Sequence, residues 1–148
     1  MFELNVLGVL RMTRTLLPKL IASGDGLIVN LGSIAGVETY PGGGGYAASK
    51  HAAHALTRTL RLELLGQPVR ITEILPGLAE TEFALVRFDG DRERAKKVYE
   101  GMTPLTAEDI AEAVRWVATL PAHVDIDEIV IRPRDQATTM LVHRRPKE

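Results

Sequence analysis

The chain has 148 residues, of which 45% are hydrophobic and 25% are charged, and its formal net charge is −1. This composition is typical of a globular protein with a single domain over residues 1–148, and it leaves no excess of basic side chains for nucleic acid or an anionic membrane. The chain has no cysteine, which excludes disulfides and thiol catalysis, so we expect a cytoplasmic protein that binds a small molecule.

The first predicted element is an amphipathic helix over residues 2–22. Its apolar side chains recur at helical spacing, and Gly24 follows as a C-terminal cap. Pro18 is expected to bend the last turn because it cannot donate a backbone hydrogen bond. Asn5 is unusual inside a helix, so it indicates a local irregularity or a bound water, with an exposed side chain as the alternative. The charges in this stretch fit neither a signal peptide nor a membrane-spanning helix.

A short strand and a long helix follow. Residues 27–31 are mostly apolar and lie between glycines, which predicts a strand buried on both faces of a parallel sheet. The four glycines at 42–45 lack the lysine of a phosphate-binding loop, so they indicate a contorted backbone or the close approach of a substrate. The helix is predicted over residues 46–65, because Gly66 and then Pro68 end it.

The second strand is predicted over residues 69–75 and ends at Pro76 and Gly77. Residues 78–104 are polar and charged, which predicts a mobile substrate-loop region with a short helix around residues 91–99. Its cations are expected to face solvent, and contact of one of them with a carboxylate is the alternative. These cations are Arg87, Arg92, Arg94, Lys96 and Lys97.

One more helix and one more strand complete the predicted elements. Thr106 and Asp109 form the pattern of a capping box for a helix that reaches Thr119. Trp116 within this helix is expected in the core. Residues 126–131 are predicted as the third strand because they are mostly apolar and β-branched.

The alternation of helix and strand predicts a parallel α/β unit with right-handed crossovers. In such sheets ligands bind beyond the carboxyl ends of the strands, and Ser33 and the Pro76–Gly77 pair both follow a strand. The segment 133–148 is predicted as a tail whose basic residues are solvated or contact a neighbouring subunit. These residues are Arg144, Arg145 and Lys147.

Tyr46 and Lys50 are four residues apart on the predicted second helix, so their side chains share one face. A phenol with a pKa of about 10 is a poor base at neutral pH, and the neighbouring ammonium is expected to lower that pKa and to hold a cofactor ribose hydroxyl. Ser33 can donate a hydrogen bond to a substrate oxygen. The alternatives are a chance pairing on a solvated helix and a serine that only caps a loop.

No metal site is expected, because the histidines lack partners at the spacing that metal ligands require. His51 and His54 are three residues apart, but no acidic residue follows on the next turn. The histidines of the chain are His51, His54, His123 and His143.

Four segments together resemble the catalytic half of the short-chain dehydrogenase/reductase family: Asn5–Gly8, Ile28–Ser33, Tyr46–Lys50 and Pro76–Thr81. The resemblance implies that Tyr46 is the catalytic acid/base and that Lys50 is its electrostatic helper and ribose anchor. It also implies that Ser33 donates to the substrate oxygen and that Asn5 holds a proton-relay water.

The same resemblance implies contacts to a cofactor and between subunits. Residues at the nicotinamide end of the cofactor are expected to be Pro76, Gly77, Leu78 and Thr81, together with Tyr46 and Lys50. Ser33 and Tyr46 are expected to contact the substrate. The family further implies a homotetramer or dimer that is built through the two long helices.

Three further segments resemble the NADP-dependent 3-hydroxy acid dehydrogenases that oxidise serine, allo-threonine and related compounds: Val86–Asp91, Pro104–Ile110 and Trp116–Val124. The implied function is hydride transfer between NADP(H) and a small 3-hydroxy acid or a related alcohol or carbonyl. NAD is the alternative cofactor, because the position that selects between the two has no counterpart in the chain. A 3-oxoacyl thioester or a sugar is the alternative substrate.

The family fold begins with a strand, a glycine-rich turn and a helix that cradle the pyrophosphate, and these have no counterpart in the chain. We therefore expect a partial Rossmann-like, doubly wound parallel α/β sheet with the last three strands and their helices, the N-terminal nucleotide-binding half being absent. The first strand would then be an unpaired apolar edge.

The favoured explanation of this difference is an internal methionine taken as the start. The others are an artificial fragment or pseudogene product, and a second polypeptide that completes the sheet. An alternative to enzymatic function is an inert fragment or an assembly partner that cannot bind the dinucleotide alone.

Overall fold

Three parallel strands form the sheet of this protein. The computed structural model describes residues 1–146, within which β1 (Gly26–Leu31) pairs with β2 (Val69–Pro76) and β2 pairs with β3 (Glu128–Ile131). Both pairings are parallel, so the carboxyl ends of the strands lie at one edge of the sheet. The predicted parallel α/β architecture is confirmed.

Helices connect and cover these strands. Across the described residues, none of them combines the length and the apolar character that crossing a bilayer requires. Their bounds are Glu3–Gly8 for a π-helical segment, Val9–Ala22 for α1, Ile34–Gly36 for a 3₁₀ turn, Gly44–Glu63 for α2, Glu82–Arg87 for α3, Arg92–Lys97 for α4 and Ala107–Ala118 for α5.

The N-terminal helix begins irregularly. Its first part, Glu3–Gly8, is π-helical, and a regular α-helix begins only at Val9. Asn5 lies inside the irregular part, which confirms the irregularity that its side chain predicted. Such π-helical turns are rare in proteins and occur frequently at functional sites. Pro18 lies inside α1.

β2 is the most buried strand of the sheet. Its residues Ile71, Ile74 and Leu75 are at most 1% exposed. The neighbouring strand β1 is tied to α2 because Asn30 Nδ2 donates a hydrogen bond of 2.9 Å to Thr57 Oγ1, and Thr57 is itself buried. This bond fixes α2 over the sheet and so positions the residues of α2 relative to the end of β1.

β1 itself is more exposed than its sequence predicts. The prediction of burial on both faces is wrong for the described residues: most of the strand is only partly buried, and Leu31 is 58% exposed. The reason is that β1 pairs with β2 alone, which leaves its other edge open. An apolar groove therefore lies between β1 and α1, lined by Val9, Met12, Leu16, Leu20, Leu27 and Ile28.

α5 confirms one prediction and contradicts another. Its capping box is present, because Thr106 Oγ1 accepts from the backbone N–H of Asp109 and the Asp109 carboxylate accepts from the N–H of Thr106 at 2.8 Å. Trp116 is not in the core but is 50% exposed. The buried side of the helix carries Val117, which lies about 100° further around the helix axis.

The substrate-loop region, residues 78–104, contains more helix than its sequence predicts. α4 corresponds to the expected short helix, whereas α3 was not predicted because its six residues are too few to show a helical period. The start of α3 is capped by Thr81, whose Oγ1 accepts from the N–H of Phe83 at 3.2 Å. Because residues four apart share one side of a helix, Phe83 and Arg87 lie on the same side of α3.

The basic residues near the C-terminus contact the substrate-loop region, although they were expected to be solvated. Arg144 donates hydrogen bonds to the carbonyl of Glu100 at 2.5 Å, and Arg145 donates to Thr103 Oγ1 at 2.8 Å. Lys147, which was predicted to behave in the same way, lies outside the described residues. The described part of the segment thus folds back along the chain.

Candidate active site

The first two turns of α2 carry the phenol and the ammonium that the motif predicted. The ring of Tyr46 is half-buried, and the Lys50 Nζ lies 5.9 Å from its centroid. On its other side the Tyr46 ring contacts Phe83 of α3, with 5.3 Å between ring centroids and an angle of 51° between planes. Just before the helix, the ring of Tyr40 covers Gly43, where any Cβ would collide with that ring. The phenol therefore packs against one aromatic ring, and Tyr40 is near enough to raise its pKa.

Ser33 is brought to the Tyr46 hydroxyl by the end of β1. It adopts extended backbone and caps the 3₁₀ turn, since its Oγ accepts from the N–H of Ala35 at 3.1 Å. Its side chain also lies near enough to the Tyr46 phenol to lower the pKa of that phenol. Because the Ala35 bond uses an acceptor lone pair of the serine oxygen, the serine proton stays free to donate.

The pKa of Tyr46 is raised above its ordinary value, which contradicts the expected lowering by Lys50. Burial of the phenol is the largest cause, the side chain of Ser33 opposes it, and Tyr40 adds a smaller increase. The cation that lowers this pKa is Arg87, the last residue of α3. At neutral pH the Tyr46 hydroxyl therefore keeps its proton.

Lys50 is held at the end of β1 rather than against the phenol oxygen. Its Nζ donates a hydrogen bond of 3.0 Å to the carbonyl of Leu31. Burial lowers the pKa of Lys50, and the carboxylate of Glu73 opposes that shift. The backbone of the first strand thus fixes where this ammonium lies.

Glu73 is an acidic residue in the middle of the buried strand β2, and it was not predicted to belong to the site. It is 2% exposed, and its Oε2 lies 2.7 Å from Nδ1 of His54. His54 is on α2, one helical turn after Lys50. Burial raises the pKa of Glu73, while His54 and then Lys50 lower it and Glu128 raises it. Gly32 leaves room for this carboxylate, because a Cβ there would collide with it.

His54 has acidic neighbours, but they come from outside its own helix, where no acidic residue was expected on the next turn. Its Nδ1 and one carboxylate oxygen from each of Glu73 and Glu128 lie within 4.8 Å of one another. The three residues come from α2, β2 and β3, so spacing along the chain could not reveal them. The available signal was a charged side chain within the apolar run of the second strand, since a buried charge requires a partner.

Asn5 contacts α2 through a residue inside the tyrosine motif. Its Nδ2 donates a hydrogen bond of 3.1 Å to Ser49 Oγ, and Ser49 Oγ donates to the carbonyl of Tyr46 at 2.8 Å. Ser49 is fully buried, and sequence reasoning missed it because a serine among alanines carries no periodic signal. The π-helical segment is in this way joined to the turn that bears Tyr46.

The residues expected at the nicotinamide end lie at the carboxyl end of β2, beside the end of β1. The N–H of Gly77 donates to the carbonyl of Ile131 at 2.7 Å, and the N–H of Leu78 donates to Gln136 Oε1 at 2.8 Å. Gln136 is buried and occupies the space that a Cβ on Gly77 would need. The C-terminal segment therefore holds the loop after Pro76 in place. Ser33 lies at the same edge of the sheet, just after the end of β1.

Sequence comparison assigns most of this site to one family. A profile described as short chain dehydrogenase matches residues 1–91. The chain is 67% identical over 138 residues to an uncharacterized oxidoreductase of Mycobacterium tuberculosis (strain ATCC 25618 / H37Rv), covering 93% of this chain and 55% of that protein. The matched residues include the 3₁₀ turn and the whole of α2.

Two further curated relatives have named activities. A sulfoacetaldehyde reductase of Chromohalobacter salexigens is 49% identical over 93% of this chain and 55% of that protein. An NADP-dependent 3-hydroxy acid dehydrogenase of Salmonella typhi is 48% identical over 97% of this chain and 59% of that protein. The chain thus spans between half and three fifths of the length of these curated relatives.

Structure comparison gives the same fold. The closed form of a serine dehydrogenase complexed with NADP+ matches with a TM-score of 0.88 and 45% sequence identity. The match covers 95% of this chain and 58% of that one. The sheet, the helices and the loop after β2 are therefore similar to one part of a dinucleotide-dependent dehydrogenase.

Proposed function

The chain belongs to the short-chain dehydrogenase family, and we propose that it bears the catalytic groups of an oxidoreductase that interconverts a hydroxyl and a carbonyl on a small 3-hydroxy acid. The observation that carries this proposal is the convergence of the Tyr46 phenol, the Ser33 side chain and the Lys50 ammonium at the carboxyl edge of a parallel sheet. Ligands of such sheets bind at this edge.

The proton chemistry follows from the raised pKa of Tyr46. A protonated phenol donates to the oxygen of a carbonyl as that oxygen gains negative charge, and Ser33 donates a second hydrogen bond to the same oxygen. In the opposite direction the phenol must first lose its proton, so alcohol oxidation is expected to become faster as the pH rises. We assign Tyr46 as the acid/base and Ser33 as the oxygen-binding donor.

The residues around this pair fit the nicotinamide end of NADP(H). A bound nicotinamide would supply or accept the hydride. Lys50 would hold the ribose from its position at the end of β1, and the loop Pro76–Thr81, including Gly77, Leu78 and Thr81, would line the ring. The fit is supported by the buried Gln136, which fixes this loop at the right edge of the sheet. NAD is the alternative cofactor, and the NADP-dependent relatives favour NADP.

Asn5 is proposed as the fourth member of the catalytic group, where it holds a water that relays the proton. Its π-helical setting and its bond to Ser49 fix it against the turn that carries Tyr46. Homo-oligomerisation through α1 and α2 is part of the same proposal. Leu10, Met12 and Leu16 are exposed apolar side chains of α1 that such an interface would bury.

The relatives also suggest a substrate class. Sulfoacetaldehyde, serine and a 3-hydroxy acid are the compounds in the names of the matched proteins. In each of them a single carbon separates the reacting carbon from an acidic group, a sulfonate or a carboxylate. We therefore propose a short substrate with an acid group at that distance in preference to a 3-oxoacyl thioester.

A non-enzymatic function is favoured by one observation. β1 exposes its outer edge and an apolar groove beside α1, which is the kind of surface that another polypeptide covers. On that alternative the chain is an inert fragment or an assembly partner that does not bind the dinucleotide alone. Titration of NADPH against the purified 148-residue chain separates the two: enhanced nucleotide fluorescence at micromolar concentration supports the enzyme, and unchanged fluorescence supports the alternative.

The catalytic assignment is tested by Tyr46→Phe. Loss of the only group proposed to move the proton should lower turnover of a 3-hydroxy acid by about 10³-fold, within the range for general acid–base catalysis, while NADPH binding is retained. The control is Tyr99→Phe, which removes a hydroxyl that donates to the Ala79 carbonyl at 2.8 Å and is not proposed to contact the substrate. Turnover that survives in Tyr46→Phe contradicts the assignment.

A further inference from the structure

One cation of the substrate-loop region faces the phenol. Arg87 ends α3 and lies one turn after Phe83, whose ring contacts that of Tyr46. The guanidinium carbon of Arg87 is 5.4 Å from the ring centroid of Tyr40 and 5.6 Å from that of Phe88. The rings of Tyr40 and Phe88 thus define the position of this guanidinium, one helical turn beyond the ring that contacts the phenol.

The guanidinium has no acidic partner in the part of the chain that the structure describes. Its contacts are the faces of two aromatic rings, which leave the edge N–H groups free to donate. Arg132 shows the contrasting case, because its guanidinium is 2.6 Å from the Glu38 carboxylate. A planar cation oriented by rings and lacking an acid is arranged to bind an anion by two parallel hydrogen bonds.

Its charge reaches the reacting group. Arg87 is the cation that lowers the pKa of the Tyr46 hydroxyl, although the shift from burial is larger. Arg94 differs in this respect: its guanidinium carbon lies 4.6 Å from the Phe88 ring, yet it has no such effect on Tyr46. Of the five cations in the substrate-loop region, the structure therefore singles out one.

We propose that Arg87 binds the acid group of the substrate, a carboxylate or a sulfonate, while the oxygen of the reacting carbon contacts Tyr46 and Ser33. This inference rests on the proposed function and adds the residue that selects the substrate class. On this proposal the acid group of the substrate pairs with the guanidinium, whereas a neutral alcohol leaves the guanidinium without a partner. Arg87 is thus a specificity-determining residue that contacts the substrate.

The first test measures anion binding without requiring turnover. The ¹⁵N-labelled 148-residue chain is titrated at constant ionic strength with 3-hydroxypropionate and with 2-hydroxyethanesulfonate, and the arginine Nε–Hε signals are followed by NMR. Both anions should shift the Arg87 signal with saturation, and 1,3-propanediol should not. Arg87→Gln should weaken anion binding by about tenfold or more, as expected for loss of a charge-assisted pair. Arg94→Gln is the matched control and should leave binding unchanged.

The second test measures selectivity in steady-state kinetics. Arg87→Gln should raise KM for the acidic substrates by about tenfold or more and leave KM for a neutral alcohol unchanged. Arg87→Lys should recover part of the loss, because it restores the charge without the planar fork.

The outcomes separate this inference from the proposed function. Anion binding that is absent from the unsubstituted chain, or equal in Arg87→Gln, overturns the role of Arg87 even when the chain is active. Anion binding that depends on Arg87 in a chain without turnover supports the inference and counts against the proposed enzyme.

Discussion

Two regions meet at Tyr46, and they hold their side chains by different means. On one side β1 and α2 are joined by directed hydrogen bonds, from Asn30 to Thr57 and from Lys50 to the Leu31 carbonyl. On the other side the substrate-loop region contributes Phe83, whose contact with the phenol is an undirected packing of two tilted rings. The first region fixes the reacting groups in place, and the second sets the polarity of their surroundings.

The difference explains why the motif alone gives the wrong pKa direction. Four-residue spacing correctly places Tyr46 and Lys50 on one side of α2, but the strand carbonyl holds the ammonium. Burial by neighbouring segments then dominates, and it raises the pKa of the phenol. The position of Tyr46 and Lys50 on the helix is therefore set by local sequence, whereas the pKa of the phenol depends on the tertiary fold.

The largest effect on the rigid region is expected from Gly32→Ala. A Cβ at this position would collide with the Glu73 carboxylate and with the Leu75 side chain, both of which are buried. Overpacking of this kind should lower the free energy of unfolding by about 3 kcal/mol, measured by urea denaturation. The matched control is Gly44→Ala at the start of α2, where a Cβ meets no atom within 4 Å and no loss is expected. Equal stability of the two variants would show that the site tolerates movement of the carboxylate.

Ser33→Ala tests whether the serine side chain tunes the phenol. Turnover should fall by about 100-fold, which corresponds to about 2.7 kcal/mol for loss of a donor to the substrate oxygen. The pKa of Tyr46 should rise further, since this side chain lowers it in the folded chain. The alkaline rise of alcohol oxidation should then shift to higher pH, and ¹³C NMR of the tyrosine ring carbon follows the same titration without turnover. A Tyr46 titration that does not move would show that the serine affects only the substrate.

Local chemistry was sufficient to predict several features. The capping box of Thr106 and Asp109 depends on residues three apart. Gly66 was predicted to end the second helix, and it lies in the turn after α2, which ends at Glu63, with a φ of +86° that other residues rarely adopt. The Tyr46 and Lys50 pair follows from the helical repeat. In each case the interacting groups belong to one element or to the turn next to it, so the order of residues already contains the geometry.

Features that depend on register between elements were not predictable. His54 and Glu73 are 19 residues apart and meet only because α2 crosses β2 at that point. Trp116 and Val117 are adjacent, and which of them is buried depends on how α5 packs. The sequence did not separate Arg87 from the other four cations of the substrate-loop region, because its contact with the Tyr40 ring depends on how α3 packs. Such contacts are set by packing and not by spacing.

Glu73→Gln removes the titration of the buried acid while keeping a hydrogen-bonding side chain. The folded-state pKa of Glu73 is raised above its unfolded value, so the folded state binds the proton more tightly than the unfolded chain. This contribution to stability is complete below the unfolded pKa and is lost as the pH rises through the folded pKa. The variant should therefore show a flatter dependence of unfolding free energy on pH above about 4.5. Glu112→Gln is the control, because its carboxylate is exposed and its pKa is lowered, mainly by Arg115. A slope that remains in Glu73→Gln assigns the titration elsewhere.

The smallest effect on stability, and the sharpest contrast with Ser33→Ala, is expected from Phe83→Ala. Phe83 is 47% exposed, so its removal should lower the free energy of unfolding by about 1 kcal/mol, well below the cost of a core phenylalanine. Its ring nevertheless shields the phenol from water, and burial is the largest cause of the raised pKa of Tyr46. The Tyr46 titration should therefore move downward in this variant and upward in Ser33→Ala.

Val86→Ala is the control for that variant, because Val86 lies on the same helix, is 73% exposed and should leave the titration in place. ¹³C NMR of the tyrosine ring carbons measures all three variants under the same conditions. Shifts of opposite sign would show that the substrate-loop region sets the acidity of a group whose position is fixed by the rigid region. A shift of the same sign in both variants would mean that contact with Phe83 supports the effect of Ser33 on the phenol and that the two regions do not act independently.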